Sequence, residues 1–231
     1  MNESIAMIER VTAALGGLSK EVVFVGGAVV RLLVTDPSIT EFRTTDDVDV
    51  IVEITSRGAF GEFEDQLREI GFRNVTYPGA PLCRWDVDGT IVDVMPTEER
   101  LLGFSNRWYP EAVRTAHAVE LPSGTSVRIV DPVVFIATKL DAFSQRGNSD
   151  PIGSRDIEDV ISVVDGRPDL PEEFRTTAAE VQTFIRQTLT TLITTVGFRN
   201  AVLGYLPHDP VAQQRYTTIM QRFQHITQEQ P

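Results

Sequence analysis

Two aspartates at alternate positions of an apolar segment are the residues best suited to chemistry in this chain. Asp47 and Asp49 lie in the run 44–52, TTDDVDVIV. Side chains two residues apart on a β-strand point to the same face, so both carboxylates project together while Asp46 faces the other way. A cation between them would remove their repulsion. The pair therefore predicts a metal site, with Mg²⁺ preferred because it takes carboxylate and phosphate oxygens.

A third carboxylate and a glycine pair belong to the same pattern. Asp93 interrupts the apolar run 91–95, and a buried carboxylate without a partner is costly. Sharing a metal with Asp47 and Asp49 would supply that partner; the alternative is an edge-strand aspartate that faces water. Gly26 and Gly27 follow the apolar run 22–25, where glycine would let a phosphate approach the backbone at a helix start. The alternative is a simple turn, and no P-loop sequence follows.

Basic residues in the C-terminal part could contact phosphate. Lys139 is one of two lysines among 21 basic residues, lies in an apolar helical segment, and has Arg146 on its face seven residues later. A lysine ammonium is a compact charge suited to polyphosphate. The alternative is a salt bridge to a residue such as Asp141 or Asp156.

The next helical segment carries Arg155, Asp156 and Asp159. Arg155 and Asp159 have the spacing of an intrahelical ion pair. Asp156 and Asp159 share a face, and either could accept the proton of an attacking hydroxyl.

Composition limits the functional classes. The chain has 231 residues, 42% apolar content and a net charge of −12, which argues against a passive nucleic-acid coat but leaves room for a local basic patch. No segment approaches the ~20 apolar residues of a membrane span, and the first residues do not resemble a secretory signal. The single cysteine, Cys83, excludes an internal disulfide. We expect a cytoplasmic protein without membrane contact.

The order of predicted elements indicates an α/β (α+β) fold. We expect an α/β core over residues 1–130 and a helical part over 131–231 that completes the active site. Asp88–Gly89 is typical of a hairpin turn, and Asp131–Pro132 of a helix start. The predicted helices are 4–15, 28–34, 58–70, 132–145 (stopping at Gly147–Asn148), 155–165, 171–196 and 211–227; the predicted strands are 21–25, 47–54, 72–76, 83–87, 90–95, 113–120 and 125–130.

Together these motifs resemble the DNA polymerase β-like nucleotidyltransferase superfamily, whose signature is Gly-Gly, Asp-x-Asp and a third strand aspartate. The segments 45–49, 92–96, 138–147 and 155–159 are similar to AbiEii/AbiGii-type nucleotidyltransferases, including the MenT type, which are commonly toxins of toxin–antitoxin or phage-defence systems. The resemblance covers roughly residues 20–165. It implies a mixed sheet flanked by helices. The 19-residue gap between Gly27 and Asp47 is longer than in the similar CCA-adding enzymes.

The resemblance also implies an activity and assigns roles. Mg²⁺, with Mn²⁺ as an alternative, would support transfer of a nucleotide from an NTP to an acceptor, which is the 3′ end of tRNA for the MenT type. The metal ligands would be Asp47 and Asp49, with Asp93 completing the site or activating the acceptor. Nucleotide binding would fall to Gly26, Gly27, Lys139, Arg146 and Arg155. Asp156 or Asp159 would be the aspartate needed for activity, and we favour Asp156.

Two other functions remain open from the sequence. The acceptor could be a small molecule, such as an aminoglycoside, or a protein side chain. The chain could also be a nucleotide-binding or partner-binding module without turnover. A cognate antitoxin protein is an expected partner only under the toxin hypothesis.

Overall fold

The computed structural model describes residues 3–146, 150–207 and 212–228 and forms two compact units. Unit 1 comprises Met1–Leu32 and Arg43–Asp131, and unit 2 comprises Leu33–Phe42 and Pro132–Pro231. The sequence analysis did not predict that Leu33–Phe42 groups with the C-terminal helices.

Unit 1 contains a seven-stranded mixed sheet, which confirms the predicted α/β class. The strand order is β3-β4-β5-β2-β1-β7-β6. The pairs β2–β5 and β1–β7 are parallel, and the other neighbours are antiparallel. The strands are β1 Val22–Val25, β2 Asp47–Val52, β3 Arg73–Asn74, β4 Arg84–Val87, β5 Thr90–Pro96, β6 His117–Glu120 and β7 Ser126–Ile129.

The central strands are buried because their sequences are almost entirely apolar. All four residues of β1 are buried, and β2 alternates half-buried aspartates with buried valines before it enters the core at Val50. β4 and β5 form the predicted hairpin, and both Asp88 and Gly89 have positive φ, at 50° and 75°. This backbone matches the two-residue turn that Asp-Gly favours.

Among the residues that the structure describes, four α-helices lie wholly in unit 1, with one short α-helix at its edge. A 3₁₀ turn, Gly27–Val29, precedes α2, so the helix predicted over 28–34 is split into two short pieces. The strand predicted from residue 113 is wrong over its first residues, because 113–115 end α5 after a proline at the helix start. The helices are α1 Glu3–Leu15, α2 Val30–Leu33, α3 Arg57–Glu69, α4 Glu99–Leu102 and α5 Tyr109–Thr115.

Unit 2 is helical, and α7 packs against α6, α10 and α11. The continuous helix predicted over 171–196 is wrong: Thr177 and Ala178 are extended, and Thr195 caps a new helix by accepting from Phe198 N. Threonine side chains compete for backbone hydrogen bonds and favour such caps. The predicted stop at Gly147–Asn148 lies outside the described residues. The helices are α6 Pro132–Gln145, α7 Arg155–Gly166, α8 Leu170–Thr176, α9 Ala179–Leu192, α10 Val196–Tyr205 and α11 Ala212–Thr227.

The end of α7 holds the Leu33–Phe42 segment within unit 2. The backbone N–H groups of Thr35 and Asp36 both donate to Gly166 O at 2.9 Å. A Cβ added at Gly166 would lie 2.5 Å from Val34 Cγ1, so only glycine permits this contact. These bonds account for the grouping of the segment with the helices.

Across the described ranges, no helix has both the length and the apolar character needed to cross a membrane.

Candidate active site

The three predicted metal ligands lie on two adjacent parallel strands of unit 1. Asp49 on β2 is in register with Asp93 on β5, and Asp47 lies two residues earlier on β2. Neighbouring strands are separated by about 4.8 Å, so carboxylates at paired positions are close. We call Asp47, Asp49 and Asp93 the carboxylate cluster. Asp46 is exposed, as the alternation predicted.

Gly26 leaves the space that the Asp49 carboxylate occupies. Its backbone has φ 70° and ψ −165°, a conformation essentially restricted to glycine. A Cβ at this position would lie 1.7 Å from Asp49 Oδ2. Val25 is in register with Asp49, so the turn begins directly beside the cluster. The structure thus gives Gly26 a role in seating a carboxylate, whereas the sequence suggested a phosphate contact.

Arg84 is a site residue that the sequence analysis missed. It is in register with Asp93 across the β4–β5 hairpin and donates to both of its oxygens, Nε to Oδ1 at 2.9 Å and Nη2 to Oδ2 at 2.7 Å. The same Nη2 lies 3.1 Å from Asp47 Oδ2. Hydrogen bonding to Asp93 is the largest cause that raises the pKa of Arg84 above its usual range. The predicted turn could have revealed this pair, because a two-residue loop at Asp88–Gly89 fixes the register.

The buried thiol of Cys83 is affected by the negative charge of the cluster. Burial, followed by the negative charge of Asp93, raises the pKa of Cys83 to about 12. The thiol therefore stays protonated at neutral pH and is a poor nucleophile. Cys83 is a packing residue beside the cluster.

The carboxylate cluster has the chemistry of a hard-metal site but is not arranged as one. Its donors are carboxylate oxygens, the ligands of Mg²⁺ and Mn²⁺. The Arg84 guanidinium already lies against Asp47 and Asp93, which shows that these carboxylates converge on a cation. In the part of the chain that the structure describes, no group of three or more His, Cys, Asp or Glu side chains is positioned to hold a metal. The donor atoms suit the ion, but with Arg84 in place they are not arranged around one.

The predicted basic and acidic residues of unit 2 form a separate group, which we call the ion network: Lys139, Arg146, Asp156 and Asp159. Lys139 Nζ lies 2.7 Å from Asp159 Oδ2 and 3.5 Å from Asp156 Oδ1. Arg146 Nη1 lies 2.7 Å from Asp156 Oδ2. The network joins α6 to α7. Lys139 therefore has the salt bridge to Asp156 that was one alternative from the sequence, together with a shorter one to Asp159.

Burial differs among the members of the ion network. The side chains of Asp156 and Asp159 are each 3% exposed, whereas that of Arg146 is 66% exposed. The contact between Arg146 and Asp156 Oδ2 is close but does not have hydrogen-bond geometry, and this buried oxygen accepts no hydrogen bond from the residues that the structure describes. Arg155 is exposed at the start of α7, after the Ser154 cap.

No family model matches the chain, and a search of curated proteins finds no match. Among solved structures, the chain is similar to ANT(2'')-Ia in complex with adenylyl-2''-tobramycin (16% identity, TM-score 0.45, 82% of this chain and 99% of that one). It is also similar to a solution structure of the antibiotic-resistance factor ANT(2'')-Ia (16%, TM-score 0.46, 82% and 95%). A third similar structure is a candidate nucleotidyltransferase from H. pylori (11%, TM-score 0.49, 98% and 96%).

Proposed function

We propose that this chain is an Mg²⁺-dependent nucleotidyltransferase that moves a nucleotide from an NTP to the 3′ end of tRNA. The observation that carries the proposal is the carboxylate cluster, with Asp49 and Asp93 in register on parallel strands and Gly26 shaped around Asp49. Three carboxylates placed together are unfavourable unless a cation compensates them. A catalytic site that binds a metal cation would supply this compensation.

The cluster would hold the cation, Mg²⁺ or in its place Mn²⁺. In this proposal Asp47 and Asp49 are ligands, and Asp93 either completes the metal site or activates the acceptor. When bound, the metal supplies charge neutralisation at the phosphoryl oxygens. Gly26 leaves room for Asp49, and Gly27, which begins the 3₁₀ turn, would lie against the phosphates in this proposal.

The ion network has the second set of proposed roles. Lys139 and Arg146 would bind phosphate, together with Arg155 at the start of α7. Because Lys139 is paired with Asp159 at 2.7 Å, it would have to exchange that carboxylate for phosphate. Asp156 remains our preferred acidic residue for activating the acceptor, since its buried Oδ2 accepts no hydrogen bond from the described residues.

The biological setting follows from the same proposal. A tRNA-modifying toxin would act in the cytoplasm and would be neutralised by a cognate antitoxin protein. Induced expression should then arrest growth, and the Asp49→Asn variant should not. Growth that is equally unaffected by both proteins would contradict the toxin role without touching the enzymatic one.

A small cationic acceptor is the second candidate, and the net charge of −12 favours it. A strongly acidic surface attracts cations and repels an RNA backbone. An aminoglycoside-like molecule has the matching charge. A protein side chain is the third acceptor class, and transfer to it would label polypeptide.

One experiment separates these acceptors. The protein is incubated with each α-labelled NTP, Mg²⁺ and total tRNA, an aminoglycoside panel or cell protein, with Asp49→Asn as the blank. Asp46→Asn is the matched control, because Asp46 is the exposed neighbour of the pair and lies just before β2 begins. We expect Mg²⁺-dependent label on tRNA for the wild type and for Asp46→Asn. Label on the aminoglycosides or on cell protein would instead identify that class as the acceptor. NTP binding without any transfer or Mg²⁺ dependence would indicate a binding module.

A further inference from the structure

Arg84 occupies the carboxylates that the proposed metal requires. Its guanidinium binds both oxygens of Asp93 and one of Asp47, at 2.7 to 3.1 Å. A planar guanidinium matches a carboxylate with two parallel hydrogen bonds, which is the strongest form of this ion pair. The cation that compensates the cluster in the metal-free protein is therefore part of the chain.

Arg84 and its two carboxylate partners are partly shielded from water, which strengthens the interaction between their charges. The exposed fractions of the side chains are 23% for Arg84, 11% for Asp93 and 31% for Asp47. Charge interactions in such positions exceed those in bulk water. An arginine cannot lose its proton to make way for a metal. Arg84 must instead leave its carboxylates or share them.

Tyr77 is a further neighbour that affects Arg84. After the hydrogen bonds to Asp93 and its negative charge, the Tyr77 side chain also contributes to raising the pKa of the guanidinium. Tyr77 is 55% exposed on the segment that precedes β4.

We propose that Arg84 is a resident counter-ion that exchanges its carboxylates for the phosphates of the incoming metal-bound nucleotide. In the free protein its single positive charge lies against both Asp47 and Asp93 and offsets part of their repulsion. On binding it gives up these oxygens to the cation and turns its donors toward the triphosphate, an anion suited to the same planar fork. This inference rests on the proposed function, because it assumes a metal–nucleotide ligand.

The proposed exchange predicts that one substitution changes the affinities for two ligands in opposite directions. Arg84→Gln removes the competitor, so Mn²⁺ alone should bind roughly tenfold more tightly. The same change removes a phosphate contact, so NTP in the presence of metal should bind more weakly. A residue that only supports the fold would not move the two affinities in opposite directions.

The test is an electron paramagnetic resonance titration of free Mn²⁺, followed by NTP titration, on the wild type and Arg84→Gln. Arg100→Gln is the control, because Arg100 is 87% exposed and pairs with Glu98 outside the cluster. Tighter Mn²⁺ and weaker NTP binding in Arg84→Gln alone would support the exchange. Unchanged or weaker Mn²⁺ binding would overturn it.

Two further outcomes keep the inference separate from the proposed function. If Arg84→Gln does not fold, Arg84→Lys replaces it. Lysine cannot form the two parallel bonds, so its Mn²⁺ affinity should still exceed that of the wild type, and an affinity no higher would overturn the exchange. If the wild type transfers nucleotide and binds Mn²⁺ but no Arg84 variant changes either affinity, only the exchange fails. If neither protein binds Mn²⁺, both proposals fail.

Discussion

The carboxylate cluster on the sheet and the ion network on the helices pair similar side chains differently. On the sheet, Asp47 and Asp93 share one guanidinium, that of Arg84. In the network, Asp159 lies 2.7 Å from Lys139 and Asp156 lies 2.7 Å from Arg146. Each network carboxylate therefore has a close basic partner of its own, whereas Asp47 and Asp93 divide one between them.

The carboxylate cluster and the ion network also differ in burial. Asp47 keeps 31% of its side chain exposed, whereas Asp159 keeps 3%. Partly exposed carboxylates that share one cation are available to a ligand, while a buried ion pair mainly fixes how two helices pack. We therefore expect substitutions on the sheet to affect function first and substitutions in the network to affect stability first.

The largest expected effect is on transfer activity. Asp49→Asn should lower the rate about 10³-fold or more, because it removes a charge that holds the metal, an interaction of several kcal/mol. Its melting temperature should stay equal or rise, since one repelling charge is gone. Label transfer and thermal unfolding measure the two quantities. Asp46→Asn should change neither quantity. A comparable loss of activity in that control would contradict a specific role of Asp49.

The next effect is on stability and concerns the ion network. Asp159→Ala leaves Lys139 with a weaker partner at 3.5 Å and should reduce the free energy of unfolding by about 3 kcal/mol. Denaturant titration measures the loss, with Asp65→Ala as an exposed control. Activity measured well below the unfolding transition then shows whether Asp159 also acts in catalysis. A stability equal to that of the wild type would refute the structural role.

A smaller effect tests the contact between Gly26 and Asp49. Gly26→Ala should destabilise unit 1 by roughly 2–3 kcal/mol, since it combines strained backbone with a steric clash. Gly124→Ala is the control, because Gly124 has φ 81° but no atom within 4 Å of an added Cβ. The double variant Gly26→Ala/Asp49→Ala should recover part of the loss. Equal losses in the single and double variants would show that the carboxylate is not what crowds Gly26.

The smallest effect is a loss of stability at alkaline pH, to which one residue in each unit contributes. Burial is the main cause that raises the pKa of Cys83 from 9.0 and that of Tyr205 from 10.0, each to about 12. Both groups hold their protons more tightly in the folded chain, so their contribution is complete below pH 9 and is lost as pH rises toward 12. The melting temperature should fall across that window. Tyr205→Phe should flatten the fall, and an unchanged slope would exclude Tyr205 as a cause.

Much of the sheet could be predicted because its signals are local. Alternation placed Asp47 and Asp49 on one face, and Asp88–Gly89 fixed a hairpin. The same turn fixes the register that sets Arg84 opposite Asp93, so Arg84 was also within reach of the sequence. The break in the helix predicted over 171–196 escaped prediction, since threonines at 177 and 195 occur inside helices as well as at their ends. Whether Lys139 binds phosphate or carboxylate depends on competing partners, which spacing cannot rank.

The central claim is that the carboxylate cluster binds a divalent cation. The direct measurement is Mn²⁺ binding by electron paramagnetic resonance to the wild type, Asp49→Asn and Asp46→Asn, each shown to be folded. We predict that the wild type and Asp46→Asn bind Mn²⁺ with the same affinity and that Asp49→Asn binds it at least tenfold more weakly. Equal affinity in all three proteins, or no binding in any, would contradict the account.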